Sequence, residues 1–395
     1  MAIRNPYPEH GGNRFRLLAG ADAFLPVMEL EIHRARHYVL FEQYLISSGS
    51  VATRFIDAFA ACVQRGVQVY MLIDHFGARR LSIADRQRIT DAGIALLFYN
   101  PAYLSHFFRG LPRNHCKVLL IDGEVAYSGG AGITDDYEAR GSSLPWHDLI
   151  VEMRGPIVGD WQSQFVRIWQ QWRGEITLPE IKPPDTAVGQ AGGQRGRLSV
   201  SLRGLRKFIR QSLLFQTRSA SERVWLGTAY YLPGRRMLWS LRAARKRGVD
   251  VRLLLPGKIN DHPAVYHAGR RYYHRLLRQG IRIFEYQPAF MHAKLYLCDN
   301  HCSIGSCNMD RWGLRWNLEA NLESSDPALC GEAESFFAEA FEHSKEITLD
   351  AWLKRPLKHR IREWLFGYLD LIIERFGVNW SLRKESANEP KPPKR

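Results

Sequence analysis

Two short segments of this 395-residue chain carry the same chemical groups at the same spacing. His115-Cys116-Lys117 is followed by Asp122, and His292-Ala293-Lys294 by Asp299, so both read His-x-Lys-x4-Asp. At roughly 5% usage per residue type, one such match arises by chance about 0.05 times in a chain of this length. Two matches at equivalent places are far rarer. In an extended chain, residues two apart point to the same side, so each imidazole shares a face with an ammonium. That pairing suits a phosphate: the imidazole attacks phosphorus or transfers a proton, and the ammonium binds oxygens. One pair supplies half of an attack-and-protonate couple, so the two motifs are expected to face one shared site.

Asp122 and Asp299 stand at turns, Asp122-Gly123 and Asp299-Asn300, and are read as supporting the site rather than reacting. Each motif is followed by a turn of small residues, Ser128-Gly129-Gly130-Ala131-Gly132 and Gly305-Ser306-Cys307-Asn308. Their backbone N–H groups, with the side chains of Ser306 and Asn308, are expected to reach phosphate oxygens. Histidines outside the repeat, such as His75, His147 and His262, are read as structural.

The elements that must position these groups also occur twice. Tyr38 to Phe41 and Val224 to Gly227 read as buried strands. Helical stretches then end at Gly66 and Gly248, where a left-handed C-cap is expected, and strands follow at Val67–Ile73 and Val249–Leu255. Further Gly-led strands run to Tyr99 and Tyr286, just before each motif. Alternating strands and helices predict an α/β fold of two pseudo-symmetric lobes, each a mostly parallel sheet flanked by helices. We place the lobes at residues 15–177 and 198–345, a Pro/Gly-rich linker at 178–197 and a basic amphipathic tail at 346–395.

The formal charge is +15, which suits an anionic partner, nucleic acid or acidic lipid alike. Met1 to Phe15 lacks a secretory signal, and no apolar stretch reaches the ~20 residues of a membrane span. Six cysteines without a Cys-x-x-Cys pair read as buried thiols rather than a zinc site.

These residues resemble the phospholipase D superfamily, whose mark is a duplicated His-x-Lys-x4-Asp motif. The second copy fits more fully, with Gly305-Ser306-x-Asn308 and Asn317-Leu318-Glu319; in the first, Gly132 stands where the family often has Asn. Arg113-Asn114-His115, Trp146-His147-Asp148 and Arg315-Trp316-Asn317-Leu318-Glu319 look like bacterial cardiolipin synthases of the short type, without N-terminal membrane helices. The resemblance implies transfer of a phosphatidyl group from phosphatidylglycerol to an alcohol through a phosphohistidine. It implies His115, Lys117, Asp122, His292, Lys294 and Asp299 as the catalytic set, with His115 leaning to nucleophile and His292 to acid. Ser306, Asn308 and Glu319 are the substrate-binding set, and no metal or other cofactor is implied. The expected partners are anionic phospholipid and the membrane surface rather than nucleic acid, with the protein peripheral at the cytoplasmic face. Three features favour lipid: the apolar loop Tyr103 to Leu111; the tail, where Leu357, Ile361, Trp364, Leu365, Tyr368, Ile372 and Phe376 recur at helical spacing beside Lys354, Arg355, Lys358, Arg360 and Arg362; and the lack of an ordered series of aromatics interleaved with basic residues that would mark a single-strand channel. A phospholipase D hydrolase or a nuclease of the same superfamily is the alternative.

Overall fold

The computed structural model describes residues 5–101, 112–139, 144–173, 176–178, 193–202, 206–311, 313–357 and 360–367. The loop Tyr103 to Leu111, most of the linker and the tail beyond 367 lie outside the described residues. β1 (His10–Ala19) and α1 (Ala21–Arg34) lead into β2 (Tyr38–Gln43), α2 (Ser50–Gln64), β3 (Gln68–Asp74), α3 (Ile83–Asp91) and β4 (Ala95–Tyr99). β5 (Val118–Ile121), β6 (Val125–Gly129) and β7 (Leu149–Arg154) follow, closed by α4 (Ile157–Arg173). The second lobe opens with β8 (Gln194–Leu202), which begins inside the stretch read as linker, then β9 (Arg206–Lys207) and α5 (Phe208–Ser219). It continues through β10 (Arg223–Gly227), α6 (Arg235–Lys246), β11 (Asp250–Pro256), α7 (Pro263–Arg270), α8 (Tyr273–Leu277) and β12 (Arg282–Tyr286). β13 (Leu295–Cys298), β14 (His301–Gly305), α9 (Gly313–Trp316), β15 (Glu319–Ser324), α10 (Pro327–Glu342), β16 (Ser344–Glu346) and α11 (Leu349–Leu353) complete the described elements. The expected α/β class is found. Gly66 and Gly248, at φ 86° and 93°, cap the equivalent helices in the left-handed conformation their positions called for.

The expectation of mostly parallel sheets is corrected. Parallel pairing is confined to β2–β3–β4 and β10–β11–β12, and every other neighbour pair is antiparallel. The reason is local. Among the described residues, the strands of these two trios are the adjacent ones that a helical crossover joins, as parallel neighbours require. After β4 and β12 the chain returns as antiparallel meanders, β5–β6–β7 and β13–β14–β15, whose first connections, 122–124 and 299–300, are tight turns.

The turns at the first of those hairpins are where Asp122 and Asp299 sit, both with positive φ, 53° and 48°. Asp122 accepts hydrogen bonds from the backbone N–H of Arg36, His37 and Tyr38, each at 2.8 Å. Asp299 does the same for Ser221, Glu222 and Arg223 at 2.9–3.0 Å. Each carboxylate thereby ties the start of β2 or β10 to the far end of its motif strand.

The two half-sheets join edge to edge through β1 and β8 into one sheet. One core cluster packs the outer helices of the first lobe, including Phe24, Phe55 and Phe59, and another those of the second, including Leu213, Leu241 and Trp352. A third runs through both lobes, where Trp161 and Phe165 of α4 share a core with Phe336 and Phe337 of α10. The lobes are therefore not independently packed units, and the shared core fixes the seam at which the motifs meet. Among the described residues, no helix is long and apolar enough to cross a membrane.

Removing either turn carboxylate leaves three backbone N–H groups without an acceptor. Asp122→Ala and Asp299→Ala should each cost about 2–4 kcal/mol of stability in denaturant unfolding, with turnover per folded molecule retained.

Candidate active site

Each histidine of the repeat is oriented by a carboxylate from the opposite lobe. His115 Nδ1 lies 3.0 Å from Glu319 Oε2 at the start of β15, and 3.1 Å from the Ser306 carbonyl. His292 Nδ1 lies 2.7 Å from Asp148 Oδ2, which immediately precedes β7. The backbone makes the same exchange. His115 N–H donates to the Leu318 carbonyl and Leu318 N–H to that of Arg113, both at 2.9 Å. In the mirror arrangement, His292 N–H donates to the His147 carbonyl at 2.8 Å and His147 N–H to that of Phe290 at 2.9 Å. The imidazole of His147 itself is stacked between Tyr286 and Phe336, so this residue supports the site through its backbone.

Each lysine follows its histidine into the buried seam. Lys117 Nζ donates to the His115 carbonyl at 2.7 Å, and Lys294 Nζ to the His292 carbonyl while lying 2.9 Å from His292 Nε2. Burial lowers Lys294 to about 7, with Lys117 contributing, and burial lowers Lys117 to about 8. Burial lowers His115 too, with Lys117 and Lys294 both adding to the shift against the pull of Glu319. Lys294 bears on His115 and Lys117 on Lys294, so the charges of the two motifs lie within electrostatic reach of one another. His292 falls to about 4 through burial and Lys294, opposed by Asp148. Burial works against the charge of Asp148, but His292, Lys294 and a hydrogen bond from Tyr137 overcome it and hold the carboxyl down to about 2. At neutral pH both imidazoles are therefore neutral. The hydrogen-bond pattern assigns the proton to Nδ1 in each, on the carboxylate, with the lone pair on Nε2.

The other expected residues are placed differently. The Ser306 hydroxyl donates to Glu319 at 2.5 Å and accepts from Ala320 N–H at 3.1 Å, so Ser306 and Glu319 stand together behind His115 as positioning groups. Asn308 accepts from the Thr228 hydroxyl at 3.4 Å, which turns its amide NH2 away as the donor. Two N–H groups of the small-residue turns are not free for a phosphate. Gly130 N–H and Ser306 N–H are bonded to the Leu149 and Ala320 carbonyls, and a Cβ at Gly129 or Gly305 would meet the backbone of the neighbouring strand. Gly132 lies so close to Leu45 that a Cβ would stand 2.8 Å from its carbonyl oxygen, which explains why no Asn occupies this copy. Instead Tyr137 donates its hydroxyl to Asp148 at 2.8 Å, as Ser306 does to Glu319 in the other copy.

Sequence reasoning missed Asp148, Tyr137, Tyr44 and Tyr230. Tyr44 meets His115 edge-on at 4.7 Å, with Lys117 Nζ 5.2 Å from its ring centre. Tyr230, Trp146 and Phe290 surround His292 at 6.4, 5.2 and 5.4 Å. These rings form an apolar wall close to the two imidazoles. The available signal was position within the repeat: His147-Asp148 and Leu318-Glu319 hold equivalent places, but the change from Asp to Glu concealed the match. On the first-lobe side, Asn114 donates to the buried Glu42 at 2.5 Å and its N–H to Asp74 at 3.0 Å. Desolvation raises these two carboxyls to about 7 and about 6.

Two ammonium groups buried side by side oppose folding. Their folded pKa values lie below the unfolded value of 10.5, so above about pH 7 the unfolded chain holds protons that the folded chain has released, and stability rises with pH. Lys294→Met should stabilise the substrate-free protein at pH 7 by about 2–4 kcal/mol and flatten the rise between pH 7 and 9, while abolishing turnover. Thermal melts across that range check it.

The family model described as "Cardiolipin synthase, PLD-like domain" matches residues 28–169 and 213–341. Cardiolipin synthase A of Pseudomonas aeruginosa (strain LESB58) is 31% identical over 347 residues, covering 86% of this chain and 69% of that protein. Cardiolipin synthase 1 of Bacillus anthracis is 29% identical over 358 residues, covering 88% and 70%. In fold, the chain is similar to phosphatidylserine synthase of Haemophilus influenzae Rd KW20, with a TM-score of 0.72 at 14% identity, covering 94% of this chain and 97% of the other. With both His-x-Lys motifs inside the matched segments, the chain belongs to the cardiolipin synthase family of phospholipase D-like proteins.

Proposed function

We propose that the protein is a phosphatidyltransferase that moves the phosphatidyl group of phosphatidylglycerol to an alcohol, a second phosphatidylglycerol, releasing glycerol. The observation that carries this reading is the pair of crossed couples, His115–Glu319 and His292–Asp148, held in one buried seam with two lysines. The named relatives, cardiolipin synthases, support the lipid substrate.

In the first step the His115 Nε2 lone pair attacks phosphorus, the bond from phosphorus to the glycerol oxygen breaks, and His292 gives a proton to the departing oxygen. The phosphohistidine carries positive charge on its ring, which the Glu319 carboxylate at Nδ1 stabilises. In the second step the hydroxyl of the incoming phosphatidylglycerol gives its proton to His292 and attacks phosphorus. The phosphorus–nitrogen bond breaks, and both histidines return to their starting states. His292 must carry a proton in the first step although burial holds it near 4; the negative charge of the bound phosphodiester and the ionised Asp148 both favour its imidazolium form. Lys117 and Lys294 neutralise the phosphoryl oxygens, and the same anionic charge favours their protonation. Asp122 and Asp299 act at a distance, through the strands that carry the motifs. Tyr44, Trp146, Tyr230 and Phe290 limit water at the phosphohistidine, so that an alcohol rather than water receives the group.

His115→Ala and His292→Ala should each lower turnover at least ~10²–10⁴-fold, and phosphate label should be trapped on His115. The deciding assay is incubation with phosphatidylglycerol vesicles and identification of products by mass spectrometry. Cardiolipin with glycerol is expected. Phosphatidic acid alone would make the protein a hydrolase, and cleavage of DNA without lipid products would overturn the substrate while leaving the paired histidines in place.

A further inference from the structure

The helices outside the two half-sheets offer an internal comparison, because α1 and α2 stand in the first lobe where α5 and α6 stand in the second. α1 and α2 carry four acidic residues, Asp22, Glu29, Glu31 and Asp57, against Arg34 and Arg54. α5 and α6 carry seven arginines and lysines and no acidic residue, five of the seven within the twelve residues of α6. Arg235, Arg236, Arg242 and Lys246 are exposed. The basic residues of this lobe that form ion pairs include Arg197, Arg223, Arg252, Arg270, Arg282, Lys354 and Arg355, none of them on α6.

This basic face has a large apolar residue at its centre. Trp239 is 71% exposed, with Arg235 and Arg236 one turn before it and Arg242 one turn after. It is not a core residue left out, since α6 already buries Met237, Leu238, Leu241 and Ala244. On α5, Phe215 is 67% exposed.

The last described helical segment, 360–367, also turns large apolar residues outward. The side it turns inward carries Glu363, buried and paired with Arg270 and Arg355, and the Gly367 carbonyl accepts from Arg271. Its outward side carries Ile361, Trp364 and Leu365 among Arg360 and Arg362, and Leu357 is exposed as well. A helix packed only for its own fold would place that stripe inside and the carboxylate outside.

We propose that the outer helical layer of the second lobe, centred on Trp239 of α6 and continued by the apolar stripe of 357–367, is the face that lies on an anionic phospholipid bilayer. The charge complements the lipid surface, and the aromatic and aliphatic side chains enter the interface. Leu357, Ile361 and Leu365 separate this partner from nucleic acid, which offers base faces for aromatic rings but no hydrocarbon for a leucine. The face also begins at the site. Tyr230, against His292, precedes the first residue of α6 by five positions, and Trp239 lies about 6 Å along the helix axis from that residue. The proposal rests on the phosphatidyl-transfer reading for its purpose, but its test stands apart from it.

The test is co-sedimentation of the full chain with vesicles of phosphatidylglycerol and phosphatidylcholine, and of phosphatidylcholine alone. Each basic residue at an anionic surface is worth about fivefold in partitioning. The variant Trp239→Ser/Arg235→Glu/Arg242→Glu should bind the mixed vesicles at least roughly tenfold more weakly, and Ile361→Ser/Trp364→Ser should weaken binding as well. Activity on detergent-dispersed phosphatidylglycerol should be unchanged in both. Arg34→Glu/Arg88→Glu, on the outer layer of the first lobe, should bind as the wild type does. Wild-type binding by the α6 variant would overturn the proposal, as would a preference of the wild type for duplex DNA that the same substitutions abolish. α6-dependent vesicle binding by a wild type that transfers no phosphatidyl group would uphold the docking face and sink the functional reading instead.

Discussion

Neither lobe can orient its own histidine. The Nδ1 of His115 is held at 3.0 Å by a carboxylate of the second lobe, and that of His292 at 2.7 Å by one of the first. Hydrogen bonds of this length weaken steeply with small displacements, so the lobes must meet in one register. The rest of the fold serves that requirement. The half-sheets join through β1 and β8, and α4 and α10 both contribute to a core common to the two lobes. A residue at one lobe's surface even reaches the other's backbone: Glu332 of α10 accepts from the N–H of Leu17 in β1 at 2.7 Å.

The seam holds more positive charge than a buried place tolerates without an anion. Desolvation pushes both lysines and both histidines toward their neutral forms, and each shift is free energy by which a bound phosphate is preferred to its absence. Such a seam is strained without an anion, and the fold supplies stability from its turns and shared core. Asp122 and Asp299 belong to that supply. Although they complete the motif in sequence, they sit at the far ends of the short motif strands from His115 and His292 and work by holding backbone.

The two copies have diverged in what surrounds equivalent chemistry. Ser306 steadies Glu319, whereas Gly130 leaves room for Asp148 and Tyr137 takes over the hydroxyl's part. Buried Glu42 and Asp74 brace Asn114 in the first lobe, where the second has Gly227 and Pro256 at the corresponding strand positions. The same divergence reaches the surface, acidic over the first lobe's outer helices and basic over the second's.

The local pattern of residues was sufficient for the duplicated motif, the α/β class, the glycine caps at Gly66 and Gly248 and the supporting part of the two turn aspartates. Each of these depends on neighbours a few positions away, on the period of a strand or helix or on the φ of a single residue. Sheet direction is not legible locally, because hydrophobic strand runs look alike in parallel and antiparallel pairs; the tight turns from β5 to β6 and from β13 to β14 decide the matter. The partners of the histidines were beyond local reasoning altogether. Glu319 is 204 residues from His115 and Asp148 is 144 from His292. Only the closing of one lobe on the other brings those carboxylates to the imidazoles, and with them the tautomers, the depressed lysines and the aromatic wall. Those properties arise from burial, which is a property of the assembled seam rather than of any segment within it.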